Sequence, residues 1–197
     1  MDKRKIIIRP IEEQDKGNYL NLFQKETFDC VGINSDMKPS LIEEESFLTR
    51  VINKETISEY VLIMEDQDNF IGYATIDRHS EKEYHIGQFV IIPEKRKQGY
   101  GSYLLETIKD YAKTDGCNIS LECISNAQSF FLVHGFNNKG LHFKYEIPSS
   151  EITTIHSPIY VDYQLILSEQ QNETKKQMQK YKEFLRSDLC KNLFDML

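Results

Sequence analysis

The sequence has no run of eighteen apolar residues, and its start, Met1-Asp2-Lys3-Arg4-Lys5, leads into only three isoleucines before Arg9-Pro10. Neither a membrane-spanning helix nor a secretory leader is expected. The four cysteines, Cys30, Cys117, Cys123 and Cys190, include no CxxC pair. A zinc site is therefore not expected, and the thiols read as reduced, as in a cytoplasmic protein. No Gly-Lys-Ser/Thr serves a nucleoside triphosphate, and no third glycine completes a dinucleotide fingerprint. Internal repeats and low-complexity tracts are missing. A basic excess is missing too: 24 Lys and Arg stand against 31 Asp and Glu, for a net charge of −7. General nucleic-acid binding needs a basic face, whereas an acidic surface favours cationic partners such as amines and basic peptides.

What is present is a soluble globular composition, 40% hydrophobic and 28% charged over 197 residues, enough for one domain with a sizeable core. The informative stretch is Pro93-Glu94-Lys95-Arg96-Lys97-Gln98-Gly99-Tyr100-Gly101-Ser102. An apolar run, Ile86 to Ile92, precedes it and reads as a buried strand; residues 102–113 follow with apolar side chains at helical spacing. A strand thus enters a glycine-rich turn that opens a helix. The first amides of a helix lack carbonyl partners, and the aligned peptide dipoles add partial positive charge there, so that this end accepts phosphate. Lys95, Arg96 and Lys97 add positive charge, and Gly99 and Gly101 let the backbone approach a bulky anion.

Along the rest of the chain, residues 5–9 read as a first strand. Helices follow from Ile11 and from Ser40, where Ser40 and Glu43 form a capping pair. Residues 59–64 and 70–76 form a hairpin, and 83–92 supply a third antiparallel strand. After the helix, Gly116 stops it and residues 118–123 return as a parallel strand through a crossover. Asn126 caps a short helix reaching His134, residues 141–147 form the next strand, and 159–167 a final one. Residues 169–197 carry an amphipathic helical stripe that suits either self-packing or a second copy of the chain, a homodimer contact.

Arg96-Lys97-Gln98-Gly99-Tyr100-Gly101 resembles the cofactor loop of GNAT-type N-acetyltransferases, Gln/Arg-x-x-Gly-x-Gly/Ala after a strand. A second segment, Ser125 to Phe136, resembles the family's Asn-led helix ending in Gly-Phe. The resemblance covers roughly residues 6–167 and implies an α/β (mixed α+β) fold: a central, mostly antiparallel twisted sheet of about six to seven strands flanked by helices. It divides the chain into a domain at 1–168 and the helical extension at 169–197.

The resemblance also implies the chemistry, transfer of the acetyl group of acetyl-CoA to a primary amine by direct attack on the thioester, without metal. The backbone of Phe89, Val90 and Ile91 would hold the pantetheine arm where two strands splay. The pyrophosphate would lie on Arg96, Lys97, Gln98, Gly99, Tyr100, Gly101 and Ser102, with Asn126 and Phe131 beside the arm. Deprotonating a lysine-like amine at pH 7 costs roughly 4.6 kcal/mol, which calls for a base. The family's glutamate position resembles His85, with Glu83 two residues earlier on the same strand face. One departure stands out. Phe131 occupies the position of the tyrosine that protonates the leaving thiolate; a thiol near pKa 8.5 leaves as thiolate at a cost of roughly 2 kcal/mol, so the loss should slow the reaction without forbidding it. A non-catalytic acyl-CoA-binding module is the alternative reading. The acceptor, a small cationic amine or a peptide N-terminus, carries no motif.

Overall fold

The structure is a computed structural model that describes residues 5–30, 40–56, 58–123, 125–139, 142–148 and 176. Seven strands form one sheet in the order β1-β2-β3-β4-β5-β7-β6. They are β1 (Ile6–Pro10), β2 (Glu59–Asp66), β3 (Asn69–Ser80), β4 (Glu83–Ile91), β5 (Asn118–Glu122), β6 (Asn137–Lys139) and β7 (His142–Tyr145). Every neighbouring pair is antiparallel except β4 and β5. That parallel pair is joined by the crossover helix α3 (Tyr100–Asp115), as the glycine turn and the stop at Gly116 predict. Gly116 takes a left-handed conformation, φ 67°, at the helix C-terminus.

The sheet is apolar on both faces, because β2 and β3 carry nearly continuous hydrophobic runs. On one face α1 (Lys16–Cys30) and α2 (Leu41–Ile52) cover Val61, Ile63 and Tyr73 through Tyr19, Leu22, Phe23 and Leu48. On the other, α3 and α4 (Gln128–Val133) cover Leu62, Met64, Ile76, Tyr84 and Ile86 through Leu104, Leu105, Ile108 and Phe131. α2 begins where the sequence predicts, with Ser40 accepting from the Glu43 amide. β1 is tied to the entry of α1 by Arg9, which bonds both Asp15 oxygens, at 2.7 and 2.9 Å, and Glu65 at 2.8 Å.

Three sequence expectations are corrected. The cofactor helix starts two residues earlier than 102, because Gly99 already supplies the turn. The short helix is not capped by Asn126: its N-cap is Ala127, without a side-chain bond, and Asn126 sits exposed in a preceding 3-10 turn. The segment after Phe136 forms a hairpin, β6 with β7, where one strand was expected. Asn137–Lys139 carries no apolar alternation and joins the sheet only through its pairing with β7. The final strand at 159–167, the boundary at 168 and the extension at 169–197 lie outside the described residues, apart from residue 176.

Candidate active site

The site grows from a mismatch in length. β4 runs to Ile91, yet β5 pairs with it only from Glu83 to Ile86. Beyond Ile86 the two strands part, and one edge of β4 is left without a β5 partner. The Ile92 amide donates to the Ile71 carbonyl at 2.9 Å, toward β3. Backbone groups alternate along an antiparallel strand, so Val90 also turns to β3, while Phe89 and Ile91 turn theirs to the open edge. The closeness of β3 here depends on Gly72, where a Cβ would stand 2.2 Å from the Val90 carbonyl oxygen.

A bulge sets the side chains. β3 pairs Ile76 with Ile86 and Thr75 with Gln88, so Gly87 is an extra residue on β4. Before it, Tyr84 and Ile86 face α3; after it, Phe89 and Ile91 do. Gln88 and Val90 therefore point to the α1–α2 face, as does His85 upstream.

The loop beyond β4 folds into a short 3-10 turn, Pro93–Lys95. Arg96 then reaches back, its Nε donating to the Ile91 carbonyl at 2.9 Å while Nη2 pairs with Glu26 on α1. Lys97 and Gly99 adopt positive φ, 60° and 92°. The left-handed turn at Gly99, disfavoured for residues with a Cβ, swings the chain into α3. The first helical bond runs from the Tyr103 amide to the Gly99 carbonyl, so the amides of Tyr100, Gly101 and Ser102 have no carbonyl of the helix to bond. The Tyr100 ring is buried and its hydroxyl donates to Asp66 at 2.5 Å, anchoring the helix start to β2. The Ser102 hydroxyl bonds His134 Nε2 at 3.0 Å, and His134 Nδ1 lies 3.4 Å from Glu106, which ties α3 to the end of α4.

Beside the open edge stands an aromatic wall. Phe131 is 5% exposed and packs edge-on to Phe89, Phe130 and Phe136 at 5.9, 5.1 and 5.5 Å. Gly101 borders this wall, with Phe130 carbons 3.5 Å from where its Cβ would be.

His85 sits one pair before the strands part, opposite Asp77 and Ser120. Its Nδ1 is 3.2 Å from the Ser120 hydroxyl, and its ring stacks on His79 at 4.9 Å. Burial and then the His79 charge push its pKa below the ordinary histidine value, partly opposed by Glu122, Asp77 and Glu83. Glu83 is half-buried on the same face, two residues upstream. The structure places His85 and Glu83 at the closed end of the β4–β5 gap, one and three pairs before the last one at Ile86, and the glycine loop beyond its open end at Ile91, with Phe131 packed on Phe89 between them. The exposed Asn126 makes no cap there.

Sequence reading missed Glu44 on α2 and Gln88. The Tyr19 hydroxyl donates to Glu44 Oε1 at 2.5 Å, and the Tyr73 hydroxyl donates to Gln88 Oε1 at 2.8 Å. No motif marks them; only the helical stripe that places Glu44 three residues after Leu41 and four before Leu48, next to the buried face, hints at it. Among the described residues no group of three His, Cys, Asp or Glu side chains could hold a metal, and no helix is long and apolar enough to cross a membrane.

A parted β4–β5 pair followed by a glycine turn into a crossover helix is the arrangement the resemblance implies, and the family model of the acetyltransferase (GNAT) family matches residues 22–136. The chain belongs to the GNAT acetyltransferase family. As a member it is an acyltransferase. No curated protein matches it in sequence. Its fold is similar to that of the PaiA N-acetyltransferase of Thermoplasma acidophilum in complex with coenzyme A: 18% identity, 71% of this chain and 96% of that one, TM-score 0.57. Similar too is YncA of Salmonella typhimurium with its cofactor acetyl-CoA, at 16% identity over 74% and 95% of the chains, TM-score 0.59. A point mutant of the SpeG spermidine N-acetyltransferase of Vibrio cholerae gives 19% identity over 72% and 93%, TM-score 0.57.

Proposed function

We propose that this acyltransferase moves the acetyl group of acetyl-CoA to a primary amine by direct attack of the amine on the thioester, in the cytoplasm. The observation that carries the reading is the open edge of β4 ending at a glycine-turned helix start. The amides of Phe89 and Ile91 are available to an extended amide-bearing chain as an added strand would use them. The amides of residues 97–102, with Arg96 beside them, suit a diphosphate. The CoA-bound relatives support the same use. Bound there, acetyl-CoA supplies an activated acyl carbon, and what remains is the work of the protein's own residues.

Those residues orient an amine and take its proton. His85, kept neutral at pH 7 by its lowered pKa, is suited to receive it; Glu83 supplies negative charge that favours the resulting imidazolium. Free backbone amides on β4 are suited to stabilise charge that develops on a carbonyl oxygen. Phe131 offers the leaving thiolate no proton, so the thiolate departs as such or takes its proton from water. Amine acetylation is supported further by the spermidine-acetylating relative, whose fold this chain shares.

The test is calorimetric titration of CoA and acetyl-CoA, followed by thiol release with polyamines, amino acids and peptide N-termini. Micromolar CoA binding with release in the presence of at least one amine is expected. A folded protein that gives no heat with CoA overturns the reading.

A further inference from the structure

The carboxylate of Glu44, on α2, accepts the Tyr19 hydroxyl, which also lies 3.4 Å from Gln88 Oε1, two residues past the last β4–β5 pair. Below it, Tyr19 and Tyr73 form a fully buried floor, their ring centroids 4.0 Å apart. Above that floor Glu44 and Gln88 are both part-exposed, so the cluster meets solvent through these two side chains. The Tyr73 hydroxyl donates to the same Gln88 oxygen that the Tyr19 hydroxyl approaches. Gln88 directly precedes Phe89, the first residue whose backbone turns to the open edge. The Tyr19 hydroxyl and the Gln88 side chain thus stand between Glu44 and the place where chemistry is proposed above.

Several buried or part-buried carboxylates of the domain are paired with a guanidinium. Asp15 and Glu65 pair with Arg9, Glu26 with Arg96, Glu59 with Arg50 and Asp115 with Arg78. Among the described residues Glu44 makes no ion pair and accepts the Tyr19 hydroxyl, and burial pushes its pKa up. Neutral donors fix the orientation of a carboxylate without cancelling its charge, and a half-buried anion gains most from an arriving cation. The tyrosine hydroxyl holds it in place in advance, which lowers the ordering cost of binding.

We propose that Glu44 is the residue that pairs with the acceptor's ammonium, and that the acceptors of this enzyme are therefore cationic amines. The assignment rests on the acetyl-transfer reading and adds its substrate class. Glu44 acts in recognition, before the proton passes to the base.

The experiment uses the full chain and Glu44→Gln, which keeps the side chain's shape and still accepts the Tyr19 hydroxyl. Calorimetric titrations of 1,4-diaminobutane, n-butylamine and the neutral isostere n-butanol are run on CoA-saturated and CoA-free protein. The wild type should bind the amines and not the alcohol, and Glu44→Gln should weaken amine binding about tenfold or more. CoA affinity and melting temperature should stay unchanged. In turnover the variant should raise KM for the amine about tenfold with kcat held within about threefold. Equal amine affinity in the two proteins overturns the proposal, as does a wild type that binds CoA but no amine, or a loss confined to kcat. If amines bind through Glu44 while CoA does not bind, the acetyl-transfer reading falls and the cation site stands; if neither binds, both fall.

Discussion

Arg96 Nε donates to the carbonyl oxygen of Ile91 at 2.9 Å, so the glycine-rich loop is fastened to the last residue of the strand it leaves. The same guanidinium pairs with Glu26 on α1. One planar fork thus links the loop, the open strand edge and the α1–α2 wall. A lysine has no fork with which to make both bonds. Arg96→Ala should weaken CoA binding about tenfold, and Arg96→Lys should recover little of it. Calorimetry of both variants decides; full recovery with lysine would show that charge alone is needed.

Gly101 lies in the first turn of α3, where a Cβ would meet only ordinary contacts at 3.5 Å or more. Its φ is not in the left-handed region, so the backbone accepts a side chain, which would start against Phe130 and Phe89 and put bulk and charge beside the proposed diphosphate cradle. Gly101→Glu should leave the melting temperature within about 4 °C and abolish CoA binding through bulk and charge. Unchanged affinity would remove the loop from the site.

The pH profile reports on His85. Its lowered pKa means that the acidic limb of kcat/KM should have its midpoint below 6.5, and His85→Ala should remove that limb. His79 contributes to the lowering, so His79→Gln should move the midpoint upward. Folding stability follows the same shift. The unfolded chain binds this proton more readily than the folded one, so the contribution is complete above pH 6.5 and is lost as pH falls through the folded value. A limb that survives in His85→Ala assigns the base elsewhere.

Cys117 carries an alkaline counterpart. It is fully buried, its Sγ 3.3 Å from the Glu81 carbonyl, and burial pushes its pKa up to about 11. Above pH 9 the unfolded thiol ionises while the folded one does not. Stability should therefore fall by about 2 kcal/mol between roughly pH 9 and 11. Denaturant melts of Cys117→Ala should lack this component, and a thiol reagent at about pH 8 should label Cys123 well before Cys117.

Much of this is legible in the sequence, because the informative signals are local. The alternation and apolar runs from residue 59 to 92, the glycines at 99 and 116, and the Ser40–Glu43 pair each act within a few residues, and each element forms where its local chemistry points. Asn126 misleads because an N-cap depends on one backbone angle, and the 3-10 turn at Ser125–Ala127 moves the helix start beyond it. β6 escapes notice because Asn137–Lys139 owes its strand to a partner rather than to its own pattern. Glu44 meets the Tyr19 hydroxyl from 25 residues away, a contact made only by the packing of α2 beside α1. Gly72 reads as an ordinary strand glycine until the Val90 carbonyl is seen opposite it.

The extra residue at Gly87 makes β4 two half-strands written in opposite phase. Were Gly87 taken into the ladder as an ordinary rung, Gln88 and Val90 would trade places with Phe89 and Ile91, turning an amide toward the aromatic wall and two apolar side chains toward the α1–α2 face. On the acetyl-transfer reading proposed above, the face that would serve the thioester and the face that would serve the amine are thus set apart by a single residue that the pairing skips.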